Sequence, residues 1–457
     1  MQSSKGTLSA FLKNYSKTHG FIQTIGSICK NLSVRSISED YLIIKGLSNG
    51  TRSFSGPKFV QIDLTDDCNN SCLCCWCNSA LKKEKSNQRD YLDYSALIKT
   101  IDELKQMGTR EITLSGGGEP FMYSRLLDVV AYIKKKGIYC QLYTNFTLAT
   151  KESLRRLADL GLDRLIVSLW AADSKVYSLL HPGKDEHYFE EIKDNLAFFS
   201  KIKNKRQLVR IHNVINSINY HQLAKIADFA CSARADEVSF TVVDVMPSQT
   251  DALLLNNKQR EQVIQDYAKL THNIRFVQLD EFKRRISAKE SCKGEYDKEI
   301  VDTIPCYLGW LFARIRANGF VNPCLKAHQI NVGNIYKQSF HEIWSSSLQQ
   351  EFRNKTRAYS KADPYFYKVG NGCNSSSGCA RMCDDLTRNI VLHRKLNMMP
   401  TSKLLFGLVR LEKTFLRIRH RIANFIRIIN LTWVVIAYSL MLKVYRLVKN
   451  ISIFPGE

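Results

Sequence analysis

The sequence predicts an α/β fold in which a parallel sheet covered by helices is followed by a small cysteine-rich domain and a basic helical tail. Three observations support this prediction. Short β-branched segments alternate with longer helical patterns between about residues 59 and 270, and ten of the 14 cysteines of the 457-residue chain lie in two segments, residues 68–77 and 306–383. Residues 401–457 carry ten basic and two acidic side chains.

Six strands and five helices account for the first of these regions. The strands are predicted at 58–65, 110–115, 139–145, 164–170, 208–215 and 237–244. The helices, with an apolar residue every three to four positions, are predicted at 92–107, 123–136, 151–160, 189–201 and 220–233. Six strand-then-helix units indicate a parallel sheet, either closed into a full or partial barrel or open and doubly wound.

The residues that could bind a ligand or take part in a reaction lie at the carboxyl ends of these strands. Cys68 follows the first strand, Glu119 the second and Asn145 the third, and Ser168 lies near the end of the fourth. Because ligands bind at the carboxyl ends of parallel strands in both architectures, we expect these residues to share one site.

Composition and charge indicate the class of protein. With 44% apolar and 24% charged residues, the chain is typical of a globular protein rather than a disordered, collagen-like or polytopic membrane protein. The net charge of +23 makes negatively charged partners or surfaces plausible, but 14 of these charges fall on residues 1–58 and 401–457. Residues 1–17 lack the apolar core and cleavage site of a secretory signal, so we expect a cytoplasmic protein with reduced thiols. Clustered cysteines then indicate metal ligands or catalytic groups rather than disulfides.

The first cysteine segment has the spacing of an iron–sulfur site. Three residues separate Cys68 from Cys72, and two separate Cys72 from Cys75. A loop of this kind can bring three thiolates to one cluster and leave the fourth iron open, since such clusters ordinarily take four cysteines. The alternative is a zinc site, because the two-residue spacings of Cys72/Cys75 and Cys74/Cys77 also suit zinc.

A glycine run follows the second strand. Ser115 is followed by three glycines, Glu119 and Pro120. Glycine lets a ligand lie against the backbone, and backbone amides suit a polar or anionic group. The run comes one strand–helix unit after the cysteine loop, so we expect both at the same end of the sheet.

With these motifs the sequence resembles the radical S-adenosylmethionine (radical SAM) enzymes over about residues 57–270. The resemblance is carried by the three cysteines, by Gly117 to Pro120, by Thr144-Asn145 and by Ser168-Leu169. It implies a partial (β/α)6 TIM-like barrel. The family usually has an aromatic residue before the last cysteine, where this chain has Cys74. We expect Cys74 and Cys77 to pack against the cluster, and ligation of the cluster is the alternative.

The resemblance also implies roles for individual residues. Cys68, Cys72 and Cys75 would hold a [4Fe–4S] cluster whose open iron chelates S-adenosylmethionine. Cofactor contacts are implied for Gly117, Gly118, Glu119, Asn145 and Ser168, with the glycines at the methionyl end and the serine at the ribose. Reduction of the cluster would give a 5′-deoxyadenosyl radical that abstracts a substrate hydrogen. No residue is assigned to the substrate step.

The second cysteine segment resembles the SPASM and twitch extensions of this family, which hold auxiliary iron–sulfur clusters. We expect one auxiliary [4Fe–4S] cluster with four ligands: Cys306, Cys324, Cys379 and Cys383. Cys373 is the alternative to Cys379, and zinc is the alternative to the cluster. A second auxiliary cluster is not expected, because Gly370 occupies a position where a full SPASM domain has cysteine and no cysteine follows Cys383.

The C-terminal tail has two patterns. Residues 404–429 place apolar side chains three to four positions apart with arginines between them, as in a basic amphipathic helix. Residues 428–442 are uncharged, but they are shorter than the roughly 20 residues that a spanning helix needs. Peripheral contact with a membrane and a helix packed on the barrel are equally compatible with this pattern. Nucleic acid is not expected as a partner, since no recognised binding motif accompanies the charge.

These observations predict four segments: a basic N-terminal extension (1–56), a radical SAM barrel (57–275), an auxiliary cluster domain (276–395) and the tail (396–457). We expect a radical SAM oxidoreductase that modifies a peptide or glycan-type substrate and takes electrons from a donor such as flavodoxin or ferredoxin. The alternatives are a dehydrogenase or epimerase of another small molecule, and a non-catalytic zinc or iron–sulfur adaptor that docks through its basic tail.

Overall fold

A mainly parallel sheet forms the centre of the structure. The computed structural model describes residues 34–83, 89–270, 274–370 and 378–398. Its strands are β1 (Phe59–Asp63), β2 (Glu111–Ser115), β3 (Tyr139–Thr144), β4 (Arg164–Ser168), β5 (Leu208–Ile215), β6 (Glu237–Val242), β7 (Arg275–Val277), β8 (Phe312–Ile315), β9 (Phe320–Asn322) and β10 (Gly333–Asn334). In the described part of the chain they form one ten-stranded sheet in the order β10-β9-β8-β1-β2-β3-β4-β5-β6-β7.

Helices connect the parallel strands and also precede and follow the sheet along the chain. They are α1 (Val34–Asn49), α2 (Tyr94–Gln106), α3 (Leu126–Lys135), α4 (Lys151–Asp159), α5 (Ser174–Leu180), α6 (Glu186–Ile202), α7 (Leu223–Ser232), α8 (Asn257–Ala268), α9 (Leu279–Ser287), α10 (Phe340–Ser345), α11 (Ser347–Thr356) and α12 (Leu386–Met398). Neighbouring strands from β1 to β7 are all parallel. The predicted TIM-like α/β fold is therefore confirmed.

Local sequence explains where the helices begin and which side they bury. In α2 the side chain of Asp93 accepts a hydrogen bond from the backbone N–H of Ala96, which caps the helix. Leu97, Ile101 and Leu104 then fall on one face and are fully buried. The same capping and periodicity recur along the barrel, for example at Thr150 before α4.

Several details of the barrel differ from the prediction, which did not include α8 or β7. Strand β4 ends at Ser168 rather than at Trp170, because Trp170 has a left-handed backbone (φ 66°) that a strand cannot contain. Helix α5 was not predicted. Its seven residues are too few for a periodic pattern to stand out, yet the carbonyl of Leu180 at its end accepts a hydrogen bond from the N–H of Leu73 in the cysteine loop at 2.9 Å.

The cysteine-rich segment extends the same sheet. The sequence indicated a small separate domain, whereas β8 pairs in parallel with β1, with Phe59 opposite Phe312, and β9 and β10 continue from it. Without β8, the edge of β1 would present unpaired backbone groups. The cysteine-rich segment is thereby in direct contact with the strand that precedes the first cysteine loop. The exact domain boundaries remain a prediction.

Some expectations concern residues outside the described ranges. They concern residues 1–33 of the N-terminal extension, Cys373, and residues 399–457 of the tail, which include its predicted amphipathic helix. Among the described residues, no helix has the length and apolar character needed to cross a bilayer.

Candidate active site and auxiliary cysteine site

The loop after β1 brings three thiols close together at the carboxyl edge of the sheet. Burial raises the pKa of the Cys72 thiol well above its usual value, and the nearby thiols of Cys75 and Cys68 raise it further. Burial likewise raises the pKa of Cys68, to about 12. The buried thiols of Cys68 and Cys72 therefore resist ionisation unless a cation neutralises them, and metal coordination deprotonates a thiol.

The chemistry of this loop fits an iron–sulfur cluster. Its donors are three thiols from one short segment, and the buried amide of Asn70 between two of them has no hydrogen-bond partner of normal geometry. Among the described residues, no three His, Cys, Asp or Glu side chains are arranged to hold a single metal ion. A cluster imposes a different requirement, because its thiolates bind separate irons.

The two additional cysteines of the loop also have neighbours. Cys74 packs against the apolar core, and its Sγ accepts a hydrogen bond from Asn216 Nδ2 at 3.3 Å. Cys77 forms a side-chain hydrogen bond with Cys75, which lowers the pKa of Cys75 to about 7. Cys74 is thus positioned by the apolar core and Asn216, and Cys77 by Cys75 of the same loop.

The glycine run lies against the cysteine loop. The N–H of Gly118 donates to the carbonyl of Thr65 at 3.0 Å, and the N–H of Glu119 donates to the carbonyl of Asp67 at 2.7 Å. A Cβ at Gly118 would lie 1.9 Å from the Asp67 carbonyl oxygen, and one at Gly117 would lie 2.3 Å from Asp66 Oδ1. Glycine is therefore required at position 118 for the contact between the two loops, whereas the Asp66 side chain could turn away from a Cβ at position 117. The contact of both glycines with S-adenosylmethionine stays a prediction.

Glu119 joins the ends of β2 and β3. Its carboxylate, 2% exposed, accepts hydrogen bonds from Thr144 Oγ1 (2.7 Å), from the N–H of Asn145 (2.7 Å) and from the N–H of Phe121 (3.1 Å). Burial raises the pKa of Glu119 to about 7, although these hydrogen bonds oppose that shift. Since both oxygens are occupied by protein donors, the geometry suits a residue that positions its neighbours.

Asn145 connects β3 to the cysteine loop. Its Nδ2 donates to Asn69 Oδ1 at 2.9 Å and lies 3.9 Å from Cys68 Sγ, while its Oδ1 accepts the N–H of Thr147 at 3.0 Å. The next residue, Phe146, is buried with a left-handed backbone (φ 65°), a strain that is frequent at functional sites. Glu119 and Asn145 thus lie in one continuous hydrogen-bonded path that ends at the first cysteine.

Ser168 lies at the end of β4 and is partly exposed, with His212 of β5 opposite it in register. His212 Nδ1 is 3.0 Å from Ser239 Oγ, and burial lowers the pKa of His212 to about 4, so the ring is neutral near pH 7. The sequence analysis did not identify His212. The sequence signal that could have found it is the alternation of apolar Val209 and Ile211 with polar Arg210 and His212, which places His212 on the opposite face of β5 from the two apolar residues.

Trp76 links the cysteine loop to the auxiliary segment. Its ring stacks on His328, with centroids 4.4 Å apart and planes 16° from parallel, and the Arg314 guanidinium lies 4.9 Å from the ring. Arg314 of β8 is buried and forms an ion pair with Asp63 of β1, at 2.5 and 2.7 Å. The sequence analysis missed this link because its members are separated by up to 265 residues.

The four cysteines predicted for the auxiliary site lie side by side. Burial raises the pKa of Cys383 well above its usual value, and three neighbouring thiols raise it further: Cys379, Cys324 and Cys306. Cys324 is affected in the same way by burial and by two of these thiols. The structure therefore brings together the predicted set, while its role as ligands stays a prediction and Cys373 lies outside the described residues.

A buried ion pair holds the last of these cysteines. Asp297 is fully buried and accepts the N–H of Cys383 at 2.6 Å, and Arg285 donates to the Cys383 carbonyl at 2.8 Å. Arg285 and Asp297 pair at 3.0 Å. Burial alone would raise the pKa of Asp297, but the Arg285 guanidinium keeps it below its usual value. The peptide of Cys383 is thus fixed on both sides by residues that the sequence analysis did not identify.

Further polar contacts surround the auxiliary site. Asn389 Nδ2 lies 3.7 Å from Cys306 Sγ, and its Oδ1 accepts the N–H of Tyr307 at 2.8 Å. Lys326, two residues after Cys324, is buried and pairs with Asp244 beyond the end of β6. The auxiliary site is therefore tied to the barrel on the β6 side as well as on the β1 side.

Two family models match the chain. Residues 62–230 match the model of the radical SAM superfamily, and residues 306–374 match SPASM, an iron–sulfur cluster-binding domain. The first match contains the cysteine loop, the glycine run and the ends of β3 and β4. The second contains Cys306 and Cys324 and ends before Cys379 and Cys383.

Proteins with similar sequence or structure agree with these matches. A tungsten-containing aldehyde ferredoxin oxidoreductase cofactor-modifying protein of Pyrococcus furiosus is 23% identical over 320 residues, covering 66% of this chain and 85% of the relative. The crystal structure of SuiB from Streptococcus suis has a TM-score of 0.54 at 17% identity, covering 80% of this chain and 88% of SuiB. Native anSMEcpe with bound AdoMet has a TM-score of 0.51 at 14% identity, covering 78% of this chain and 100% of that protein.

Proposed function

Because this chain belongs to the radical SAM superfamily and carries a SPASM-type iron–sulfur domain, we propose that it cleaves S-adenosylmethionine reductively in order to modify a peptide. The class implies a [4Fe–4S] cluster, S-adenosylmethionine and auxiliary iron–sulfur binding, and its members are enzymes. The non-catalytic adaptor is thereby set aside. In the proposal, Cys68, Cys72 and Cys75 are the ligands of the radical SAM cluster.

One observation carries the proposal: three loops at the carboxyl edge of the sheet are fastened to one another around the three thiols. The glycine run is bonded to the cysteine loop through Gly118 and Glu119, and the end of β3 is bonded to both through Asn145. An arrangement that only needed to bind a structural metal would not require the glycine run to lie 2.7–3.0 Å from the loop. It supports a site in which a second molecule is held beside the cluster.

The protein positions the reactants, whereas the hard chemistry belongs to the cofactors. A [4Fe–4S] cluster held by Cys68, Cys72 and Cys75 would supply the electron that cleaves S-adenosylmethionine to methionine and a 5′-deoxyadenosyl radical, which would take a hydrogen atom from the substrate. Within the chain, Glu119 orients Asn145, and Asn145 orients the loop next to Cys68. Ser168 and the neutral His212 offer polar groups on the inner face of the barrel for the ribose and adenine end of the cofactor.

We assign the auxiliary cluster to Cys306, Cys324, Cys379 and Cys383. It would accept an electron from the substrate radical or anchor the substrate, and a flavodoxin or ferredoxin would supply electrons to the first cluster. The ties through Trp76 to His328 and through Lys326 to Asp244 support a shared cleft, since both join the auxiliary segment to the rim of the barrel.

The peptide substrate is supported by what is known of proteins with similar architecture. SuiB has been crystallised with the precursor peptide SuiA, and anSMEcpe with AdoMet and the Cp18Cys peptide. The relative from Pyrococcus furiosus is named as a cofactor-modifying protein, which leaves a small molecule as the competing substrate class.

Reductive cleavage tests the radical SAM assignment. The protein is purified without oxygen, reduced with dithionite and incubated with S-adenosylmethionine, and 5′-deoxyadenosine is quantified. We expect cleavage by the wild type and by Cys231→Ala, a lone exposed cysteine on α7. We expect none from the variant in which Cys68, Cys72 and Cys75 are all Ala. Cleavage by that variant would refute the ligand assignment.

Deuterium transfer tests the substrate class. The enzyme is supplied either with a peptide digest of a fully deuterated cell extract or with the small-molecule fraction of the same extract. Deuterium should appear in 5′-deoxyadenosine with the peptides only, since the radical takes hydrogen from its substrate. Deuterium from the small-molecule fraction alone would favour a small-molecule dehydrogenase or epimerase.

A further inference from the structure

Asn70 is a buried asparagine whose side-chain amide makes no hydrogen bond of normal geometry. It lies in the cysteine loop between Cys68 and Cys72 and is 4% exposed. Neither its Oδ1 nor its Nδ2 makes a hydrogen bond of normal geometry. A buried amide without hydrogen bonds costs free energy, so such a group calls for an explanation.

The neighbouring asparagines of the loop behave differently. Asn69 Nδ2 donates to Thr147 Oγ1 at 2.8 Å, and Asn78 Nδ2 donates to the carbonyl of Gly117 at 2.7 Å. Both have structural roles that the protein alone satisfies. Asn70 lacks such a role, although it is more deeply buried than either of them.

The surroundings of Asn70 place its amide beside the cluster ligands. Its backbone N–H is 3.5 Å from Cys68 Sγ. Burial raises the pKa of Cys72 and of Tyr177, and the Asn70 side chain opposes that shift in both groups, so its amide lies next to the Cys72 thiol and the Tyr177 hydroxyl. Tyr177 of α5 is 1% exposed and stacks on His181, with centroids 4.1 Å apart. Water therefore has little access to the amide, and the acceptors within its reach are the Cys72 sulfur and the Tyr177 hydroxyl.

We propose that Asn70 is a positioning residue that donates a hydrogen bond from Nδ2 to a sulfur of the radical SAM cluster, either the Cys72 thiolate or the sulfide next to it. This inference rests on the proposed function, because it needs a cluster in the loop. An N–H donor stabilises the more negative, reduced cluster, and hydrogen bonds to sulfur are one of the factors that set reduction potentials. Asn70 would thus make reduction of this cluster easier.

The test is an EPR-monitored redox titration of the full-length protein with both clusters loaded. Asn70→Leu keeps the approximate size of the side chain and removes the donor. We expect the ratio of reduced to oxidised radical SAM cluster at a fixed potential to fall at least threefold, which equals about 28 mV for one electron. The auxiliary cluster in the same sample is the internal reference and should be unaffected. Asn195→Leu is the matched control, since Asn195 is buried but its Nδ2 already donates to Ala149 O at 2.8 Å.

A second variant covers the case in which Asn70→Leu does not retain its cluster. Asn70→Gln keeps an N–H donor and should hold a potential closer to the wild type. An unchanged potential in Asn70→Leu, or loss of iron from this site in both variants, would overturn the proposal, the latter by assigning Asn70 to the folding of the loop. Failure of the proposed function would look different, as a wild-type EPR signal that S-adenosylmethionine does not perturb.

Discussion

The two cysteine sites of this protein are built in opposite ways. The first takes three cysteines from eight consecutive residues of one loop, whereas the second collects cysteines from Cys306 to Cys383. The first is held by backbone contacts with the glycine run, at 2.7–3.0 Å. The second depends on buried charges, above all on the Arg285–Asp297 pair that fixes the peptide of Cys383.

This difference predicts different sensitivities to mutation. A site set by loop geometry should respond to changes that move the backbone and should tolerate changes in distant charge. A site assembled from distant segments should depend on the ion pairs that fix those segments. The predictions below are ordered from the largest expected effect to the smallest.

Asp297→Asn should have the largest effect on stability. It removes the fully buried partner of Arg285, and breaking a buried pair costs about 3–5 kcal/mol. Because Arg285 keeps its ion pair with Glu281 at 2.8 Å, we expect a loss of about 3 kcal/mol. Auxiliary iron should be lost while S-adenosylmethionine cleavage persists, as measured by iron content and 5′-deoxyadenosine formation. Asp128→Asn removes an exposed ion pair with Arg125 and should change stability by no more than about 1 kcal/mol. Equal loss of both clusters in Asp297→Asn would contradict the claim that only the second site depends on this buried ion pair.

Gly118→Ala should damage the first site alone. The new Cβ would lie 1.9 Å from the backbone oxygen of Asp67, so the two loops must separate. A misplacement of about 1 Å can cost about 100-fold in rate, and we expect S-adenosylmethionine cleavage to fall by that order. Gly161→Ala is the control: its Cβ meets nothing within 4 Å, and its left-handed backbone (φ +70°) costs about 1 kcal/mol in stability. Normal cleavage by Gly118→Ala would contradict this account of the glycine run.

Glu119→Gln should have an intermediate effect. The backbone N–H groups of Phe121 and Asn145 each donate to a different oxygen of the Glu119 carboxylate. In the variant, the side-chain NH2 group would replace one of these oxygens, so one of the two backbone N–H groups would face another donor. The loss of one such bond costs about 1–3 kcal/mol, which corresponds to a roughly tenfold or greater decrease in cleavage with the iron content unchanged. Glu190→Gln, on the exposed side of α6, should have no effect on cleavage. Iron loss in Glu119→Gln would show that the carboxylate supports the cluster loop itself.

His181→Phe should alter only the pH dependence of stability. Burial lowers the pKa of His181 from 6.5 to about 4. Between pH 6.5 and 4 the unfolded chain binds more protons than the folded chain, so stability is lost as the pH falls through this window. The wild type should lose about 1 kcal/mol from this residue between pH 7.5 and 5.5, and the variant should not. Denaturant titrations at the two pH values measure the difference, and equal losses in both proteins would contradict it.

Local pattern explains what the sequence could predict. The six main strands, their helices and the common location of the first cysteine loop and the glycine run follow from periodicity and from the rule that sites lie at the carboxyl ends of strands. The proximity of Cys68, Cys72 and Cys75 could be predicted because all three belong to one loop. Helix α5 was not predicted because it is too short to show a periodic pattern.

Tertiary contacts explain what the sequence could not predict. The pairing of β8 with β1, the stacking of Trp76 on His328 and the support of Cys383 by Asp297 join residues that lie 86 to 253 positions apart. None of these partners has a local pattern that identifies the other. The sequence likewise could not identify Asn70, because the burial of its side-chain amide without a hydrogen bond of normal geometry is visible only in the structure.

The measurement that tests the account most directly is iron, sulfide and zinc analysis of anaerobically purified protein, combined with EPR of the reduced protein with and without S-adenosylmethionine. The account predicts about eight irons per chain, two cluster signals, and a change in one signal alone when S-adenosylmethionine is added. Zinc without sulfide, together with no response to S-adenosylmethionine, would contradict it.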